Sequence, residues 1–243
     1  MRPLVWGHRG TRAVNAKEAA KPPENTLAAM ELALAQGADG IELDVRLCKS
    51  GEVIVLHDVD LQRVAGVALR AQDATLAELQ QHDLGRGERV PTLDAAIALV
   101  LGRPDALRLN IELKADVPDG QALVQAVARA LAALSEPERV RALISSFSAE
   151  LCTAARGLLP DVAVAFLYEQ ASEAALRPAG MSVVHPRHTL LDAERIAELH
   201  AAQLQVNTWT VNDPQRALDL AKAGVDGIIT DDVPAILSAL GEG

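Results

Sequence analysis

A chain of 243 residues, 49% apolar and 23% charged, can bury a large core, which excludes intrinsic disorder as its main state. A formal net charge of −10 offers no global field toward a nucleic-acid backbone or an anionic membrane, so neither is expected as a partner. The opening MRPLVWGHRG has no apolar run behind a basic start, and Cys48 and Cys152 form no disulfide framework. The expectation is a cytoplasmic protein with free thiols, no secretory signal and no stable membrane association.

Short aliphatic runs, each followed by an Ala/Leu-rich segment of helical spacing, read as βαβ units of a parallel sheet. In chain order, a strand over 3–8 leads to a helix over 25–36 and a second strand over 39–45. The apolar run 53–57 follows too closely for a parallel crossover. It reads as the return arm of an antiparallel hairpin with Ser50-Gly51 at its tip and Asp44 opposite His57. The excursion that follows, to residue 90, carries one short helix near 76–81. Beyond it, a helix over 92–101 precedes a strand over 107–114, and a helix over 120–134 precedes a strand over 141–146. The helix over 148–158, the strand over 162–167, a fainter helical pattern over 172–177 and the strand over 182–185 come next. Then follow a helix over 192–202, a strand over 205–211, a helix over 213–223, a strand over 227–230 and a last helix over 233–240. Ser148, Asp192 and Asp213 are placed to cap their helices, and Pro214 suits a first helical position. With eight such strands, no linker and no internal repeat, the expected fold is α/β: a single (β/α)8 TIM barrel spanning residues 1–243. Its hairpin and short insertion, residues 46–90, come after the second strand.

Glu42 and Asp44 are two apart on one strand and share a face; Glu112 and Lys114 repeat the arrangement on the next barrel strand. Ile41, Leu43, Ile111 and Leu113 make the opposite face apolar, so the acidic face points into the barrel, where unpaired charge needs a reason. Three carboxylates at the C-terminal ends of barrel strands suit one hard divalent cation, Mg²⁺ or Ca²⁺. His8 and Arg9 end the first strand between Gly7 and Gly10, which would let the backbone turn and approach a ligand. The hairpin would bring His57 to the same rim, giving two imidazoles for general acid and general base. Arg9 and Lys114 add positive charge, and a phosphate is the simplest ligand that satisfies all these groups.

His8-Arg9-Gly10, Pro23-Glu24-Asn25-Thr26, Glu42-Leu43-Asp44-Val45, His57-Asp58, Glu112-Leu113-Lys114, Thr208-Trp209-Thr210-Val211-Asn212 and Gly227-Ile228-Ile229-Thr230-Asp231 occur in order through nearly the whole chain. Together they resemble the glycerophosphodiester phosphodiesterase family. The resemblance implies hydrolysis of glycerophosphodiesters to glycerol 3-phosphate and an alcohol on a barrel with one divalent cation. By motif, it implies Glu42, Asp44 and Glu112 as metal ligands, His8 and His57 as acid and base, and Arg9 and Lys114 as phosphate ligands. Trp209 is a candidate wall of the glycerol pocket or else a core filler. Glu24 and Asn25 are candidate positioning residues, with helix capping a sufficient account of the segment. His185 and His188 read as rim residues. The stretch 11–22 is longer than is usual in the family and is placed to overhang the site. A lysophospholipase D-like activity on the same site, and a non-catalytic barrel that binds phosphorylated ligands, are the alternatives.

Overall fold

The computed structural model describes residues 2–12, 21–103, 107–178 and 180–241. Eight parallel strands close into a barrel: β1 (Leu4–His8), β2 (Gly40–Leu47), β6 (Arg108–Leu113), β7 (Ala142–Ser146), β8 (Ala163–Tyr168), β9 (Val183–Pro186), β10 (Gln205–Thr208) and β11 (Gly227–Thr230). The ring runs in that order, and β1 pairs on one side with β2 (His8 beside Glu42) and on the other with β11 (Trp6 beside Ile229). The expected barrel and its eight strands are therefore present. β10 stops at Thr208 rather than at residue 211; Trp209 beyond it keeps only an isolated parallel bridge to Arg187.

Outward residues of the strands are apolar because helices cover them. α1 (Leu27–Ala35), α4 (Leu93–Val100), α5 (Gly120–Ala132), α7 (Ala149–Leu158), α8 (Ala193–Ala201), α9 (Pro214–Ala223) and α10 (Val233–Ala239) form the outer layer, with the one-turn α6 (Glu136–Arg139) ahead of β7. Ile41, Leu43, Ile111 and Leu113 are all fully buried in the main core beneath this layer. The anticipated caps form: Ser148 accepts from the Leu151 amide, Asp192 from Arg195 and Asp213 from Gln215. The faint pattern over 172–177 is a 3₁₀ segment, Ala171–Leu176, so among the described residues the crossover between β8 and β9 has no α-helix. Among the described residues no helix is long and apolar enough to cross a membrane.

The hairpin exists, but its register is one residue from expectation. β3 (Val53–Val55) pairs with β2 so that Val45 faces Val55, and the Leu56 amide donates to the Asp44 carbonyl. Leu56, not His57, therefore lies opposite Asp44. The turn explains the slip: the Gly51 amide donates to Cys48 and the Cys48 amide to Glu52, with Gly51 at φ +93°. That is a three-residue loop closed by a left-handed glycine, and its odd count shifts every pair by one. Past the hairpin, β4 (Asp60–Leu61), α2 (Gln62–Ala65), β5 (Val67–Arg70) and α3 (Leu76–Leu79) build a small annex. Only the last of these was expected. Ile54, Leu56, Leu61, Leu79, Leu84 and Val90 give it a separate core, which fixes where β3 delivers the chain to the rim.

Gly10 has a use other than approach to a ligand. It sits at φ +80°, and a Cβ there would come within 2.5 Å of the Ala29 carbonyl carbon and 2.7 Å of the Met30 amide. The glycine lets the end of β1 lie against the backbone of α1, a contact sealed by the Thr11 amide donating to Ala29. Gly10→Ala is expected to cost about 2–5 kcal/mol, combining roughly 1–2 kcal/mol for a left-handed alanine with roughly 1–3 kcal/mol for overpacking. Urea unfolding checks this: an unchanged midpoint would show that the two backbones separate freely.

Candidate active site

The inner face of β2 carries Glu42, Asp44 and Arg46, and that of β6 carries Asn110 and Glu112, with Lys114 just past its end; the two strands pair Asp44 beside Glu112. The three carboxylates converge, with one oxygen of each within 4.8 Å of the others. Lys114 Nζ reaches Glu112 at 2.8 Å and Asp44 at 3.3 Å. Arg9 Nε lies 3.2 Å from Asp44, and the Arg9 amide donates to Glu42 at 3.0 Å. The sequence expectation that these groups share one face and one site is met.

Their charges are unevenly held. Burial, reinforced by Asp44 and Glu112, pushes the Glu42 carboxyl well above the usual carboxylate range. Burial and Asp44 likewise push Glu112 up to about 7, against the pull of Lys114 and Arg9. Asp44 goes the other way: burial opposes ionisation, but Lys114, Arg9, His57 and the Asn25 amide together hold it below the usual range. A cluster of three oxygen donors in which two carboxyls are pushed toward their protonated forms is short of positive charge. The group that relieves it is a hard divalent cation. The residues present therefore fit a metal ion.

Asn25 differs from its capping role. Thr26 caps α1, accepting from the Ala29 amide, whereas Asn25 Nδ2 donates to Asp44 at 2.8 Å. Asn25 and Arg9 both adopt left-handed backbone, at φ +59° and +55°, and the Asn25 amide donates to the Arg9 carbonyl at 2.9 Å. Such conformations are costly for residues with a Cβ, and here they turn both side chains onto the same carboxylate. Glu24 binds Arg9 at 2.8 Å. Burial opposes its ionisation, yet Arg63 and Arg9 hold it down to about 2.

Each histidine is anchored through Nδ1. His8 lies 2.6 Å from Asp231, and its Nε2 is 4.0 Å from Glu42. His57 lies 2.6 Å from Asp58, and its carbonyl accepts two bonds from Arg46, at 3.0 and 2.7 Å. Burial first, then Lys114 and Arg9, push the His57 imidazole below its ordinary value, against Asp44 and Asp58. His8, Arg9, Glu42, His57, Glu112 and Lys114 open onto one cleft, which Trp209 and Phe147 border with their rings edge to face, 5.4 Å apart. Trp209 is thus a cleft wall, with its indole N–H donated to the His185 carbonyl at 2.8 Å. His185 is not at the rim: it is 1% exposed inside the barrel, bonded to Asn207, and burial pushes it down to about 3.

Arg12, Arg46 and Arg63 were given no role from sequence, and Asp58, Asn212 and Asp231 entered only as members of the quoted motifs. Arg46 and Asp231 had a signal, since each extends the inward alternation of its strand by two residues. Arg12 and Arg63 had none, because their partners lie 219 and 39 positions away. Of the long stretch 11–22, residues 13–20 lie outside the described residues.

The glycerophosphoryl diester phosphodiesterase family model matches residues 8–235. A glycerophosphodiester phosphodiesterase of Caldanaerobacter subterraneus subsp. tengcongensis is 32% identical over the whole of both chains, and one of Bacillus altitudinis is 30% identical over 93% of this chain and 94% of that one. Among solved structures, an Oleispira antarctica phosphodiesterase in complex with the product sn-glycerol-3-phosphate is 28% identical, with a TM-score of 0.84 covering 98% of this chain and 97% of that one. A Thermotoga maritima glycerophosphodiester phosphodiesterase is 27% identical, with a TM-score of 0.75 over 98% of both. With that model matching nearly the whole chain and relatives 32% and 30% identical over nearly all of it, the chain belongs to the glycerophosphoryl diester phosphodiesterase family.

Proposed function

We propose that this chain, as one catalytic domain, hydrolyses glycerophosphodiesters to glycerol 3-phosphate and an alcohol in a divalent-cation-dependent reaction. The observation that carries the reading is the convergence of Glu42, Asp44 and Glu112 within 4.8 Å of one another, in the cleft that also holds His8 and His57. Glu42, Asp44 and Glu112 would hold one cation, Mg²⁺ or Ca²⁺, which when bound polarises phosphoryl oxygens and offsets their charge. Arg9 and Lys114 bind the phosphate and Trp209 borders the glycerol, while Glu24 and Asn25 set the positions of Arg9 and Asp44. One histidine takes the proton of the neighbouring glycerol hydroxyl as it attacks phosphorus, and the other gives a proton to the departing alkoxide, leaving a cyclic phosphate. Water then adds to phosphorus and opens the ring with the two proton transfers reversed, so that one water is consumed overall. A small-molecule substrate, a cytoplasmic setting and no nucleic-acid partner complete the reading. The acidic composition and the two buried free cysteines support it.

The test is release of glycerol 3-phosphate from glycerophosphocholine, glycerophosphoethanolamine and related diesters, after chelation and after restoring Mg²⁺ or Ca²⁺. Release that disappears with chelation and returns with a cation is expected. Folded protein that releases none with any diester or cation overturns the reading.

A further inference from the structure

Behind the cleft, the two histidines are joined by an unbroken series of ionic contacts. His8 Nδ1 meets Asp231 at 2.6 Å; Asp231 meets Arg12 Nε at 2.6 Å; Arg12 NH1 meets Glu24 at 3.3 Å. Glu24 meets Arg63 NH2 at 2.6 Å; Arg63 Nε meets Asp58 at 2.7 Å; Asp58 meets His57 Nδ1 at 2.6 Å. Between the two imidazoles, carboxylates and guanidiniums alternate. Its members come from elements far apart in the chain: the end of β1, the lead into α1, the annex helix α2, the chain after β3 and the end of β11.

We propose that this arc is one positioning device, in which Arg12 and Arg63 are positioning residues and Glu24 is their shared anchor, so that a disturbance at Glu24 reaches both imidazoles although it touches neither. The inference rests on the reading of His8 and His57 as the proton-transferring pair. Each arginine uses different nitrogens toward its two carboxylates, Arg12 through Nε and NH1 and Arg63 through Nε and NH2, a span a planar guanidinium bridges and an ammonium does not. Each terminal carboxylate in turn fixes one imidazole nitrogen, leaving Nε2 for the cleft. Asn212 secures Asp231 from the far side, Nδ2 donating to its carboxylate at 2.7 Å and Oδ1 accepting the Asp231 amide at 2.9 Å. The Glu24 side chain is 8% exposed and that of Asp231 2%, so these two carboxylates are held where competing water is scarce, while Arg63 at the His57 end is half-exposed.

Arg63 gives the device a second consequence. It is the side chain by which α2, on the annex, grips Glu24 beside α1. The annex is thereby tied to His57 and, through Glu24 and Arg12, to His8, so its seating and the aim of both histidines are set together.

Imidazole nitrogen resonances of the full-length protein, read by long-range proton–nitrogen correlation, test this without reliance on turnover. Glu24→Gln is expected to shift the signals of both His8 and His57. Arg12→Met should shift mainly His8, and Arg63→Met mainly His57. Each arginine variant should also lower kcat about tenfold while KM changes less than about threefold. If Glu24→Gln moves one imidazole or neither, the arc is two independent pairs and the proposal is wrong. Should Glu24→Gln fail to fold, the half-exposed Arg63 and the partly exposed Arg12 still decide it: an arginine variant that leaves its own histidine unmoved overturns the proposal. Inactivity of the wild type on every diester would remove the proposed function, yet the spectra would still show whether the arc exists.

Discussion

His8→Ala and His57→Ala are each expected to lower turnover of a glycerophosphodiester about a hundredfold or more, the usual worth of a positioned acid or base, with little change in the thermal transition. The expectation follows from how the rings are held. A carboxylate 2.6 Å from Nδ1 fixes each ring, and both carboxylates stay ionised. Asp231 is held low against its burial by His8, Arg12 and Asn212, and Asp58 against its burial by Arg63 and His57. Each imidazole therefore presents Nε2 to the cleft in a fixed orientation. Burial together with Lys114 and Arg9 keeps His57 neutral to a pH below its ordinary value, so it can accept a proton at neutrality. A base acts only when unprotonated, so the acid limb of kcat/KM should fall at a pH below 6.5. Neither ring packs in the main core, which is why removal spares the fold. Steady-state kinetics and thermal melts of the two variants settle the matter; near-normal turnover in both would remove the acid–base assignment.

The barrel was legible because its signals are local and periodic. Ile41, Glu42, Leu43, Asp44 and Val45 alternate without a break, and a strand covered outside by helices leaves only the interior for the charged set. The hairpin register was illegible for an equally local reason. Lys49-Ser50-Gly51-Glu52 permits an even or an odd loop, and the left-handed state of Gly51 that selects the odd one is a property of conformation, not of composition. The strands of the annex escaped notice because β4 and β5 are 2 and 4 residues long, too short for any period to register, whereas the short helix expected near 76–81 is present as α3. Asn25 shows a different limit. Beside Thr26 at a helix start it has an adequate local explanation as a cap, and nothing short of the fold shows that Thr26 caps alone while Asn25 turns to Asp44. His185 shows the converse, since a histidine before Pro186-Arg187 suggests a rim but belongs to the inward face of β9. Residues that continue the inward alternation of a strand were readable, and Arg12 and Arg63, which lie on no strand, were not.

The dependence of stability on pH should flatten when a divalent cation is supplied. In chelated protein, burial and Asp44 hold Glu112 up at about 7, and Glu42 is raised with it, while both would titrate near 4.3 in the unfolded chain. A raised folded pKa means that the folded state holds the proton more tightly. The stability it brings is complete below about pH 4.3 and is lost as pH rises through 7. Glu24, held near 2, works in the opposite sense: its contribution is present above about pH 4.3 and lost as pH falls toward 2. The chelated protein should therefore be most stable in mildly acidic solution. It should lose on the order of 3 kcal/mol by pH 8, at about 1.4 kcal/mol per pKa unit, which is a fall in Tm of roughly 5–10 °C for a domain of this size. A cation binds the deprotonated carboxylates, so its stabilisation grows over the same interval and cancels the loss; at a hundred times Kd it supplies about 2.7 kcal/mol. Glu112→Gln replaces a carboxyl that keeps its proton with a neutral group of the same shape. That variant should lose the decline above pH 6, the stabilisation by Mg²⁺ or Ca²⁺, and at least about a hundredfold in turnover together. Melting curves across pH 5 to 9, with chelator and with each cation, read the first two effects, and steady-state assays read the third. A Glu112→Gln protein that the cation still stabilises as fully as wild type would show that Glu112 is not a ligand, and the acidic cluster would then need another account.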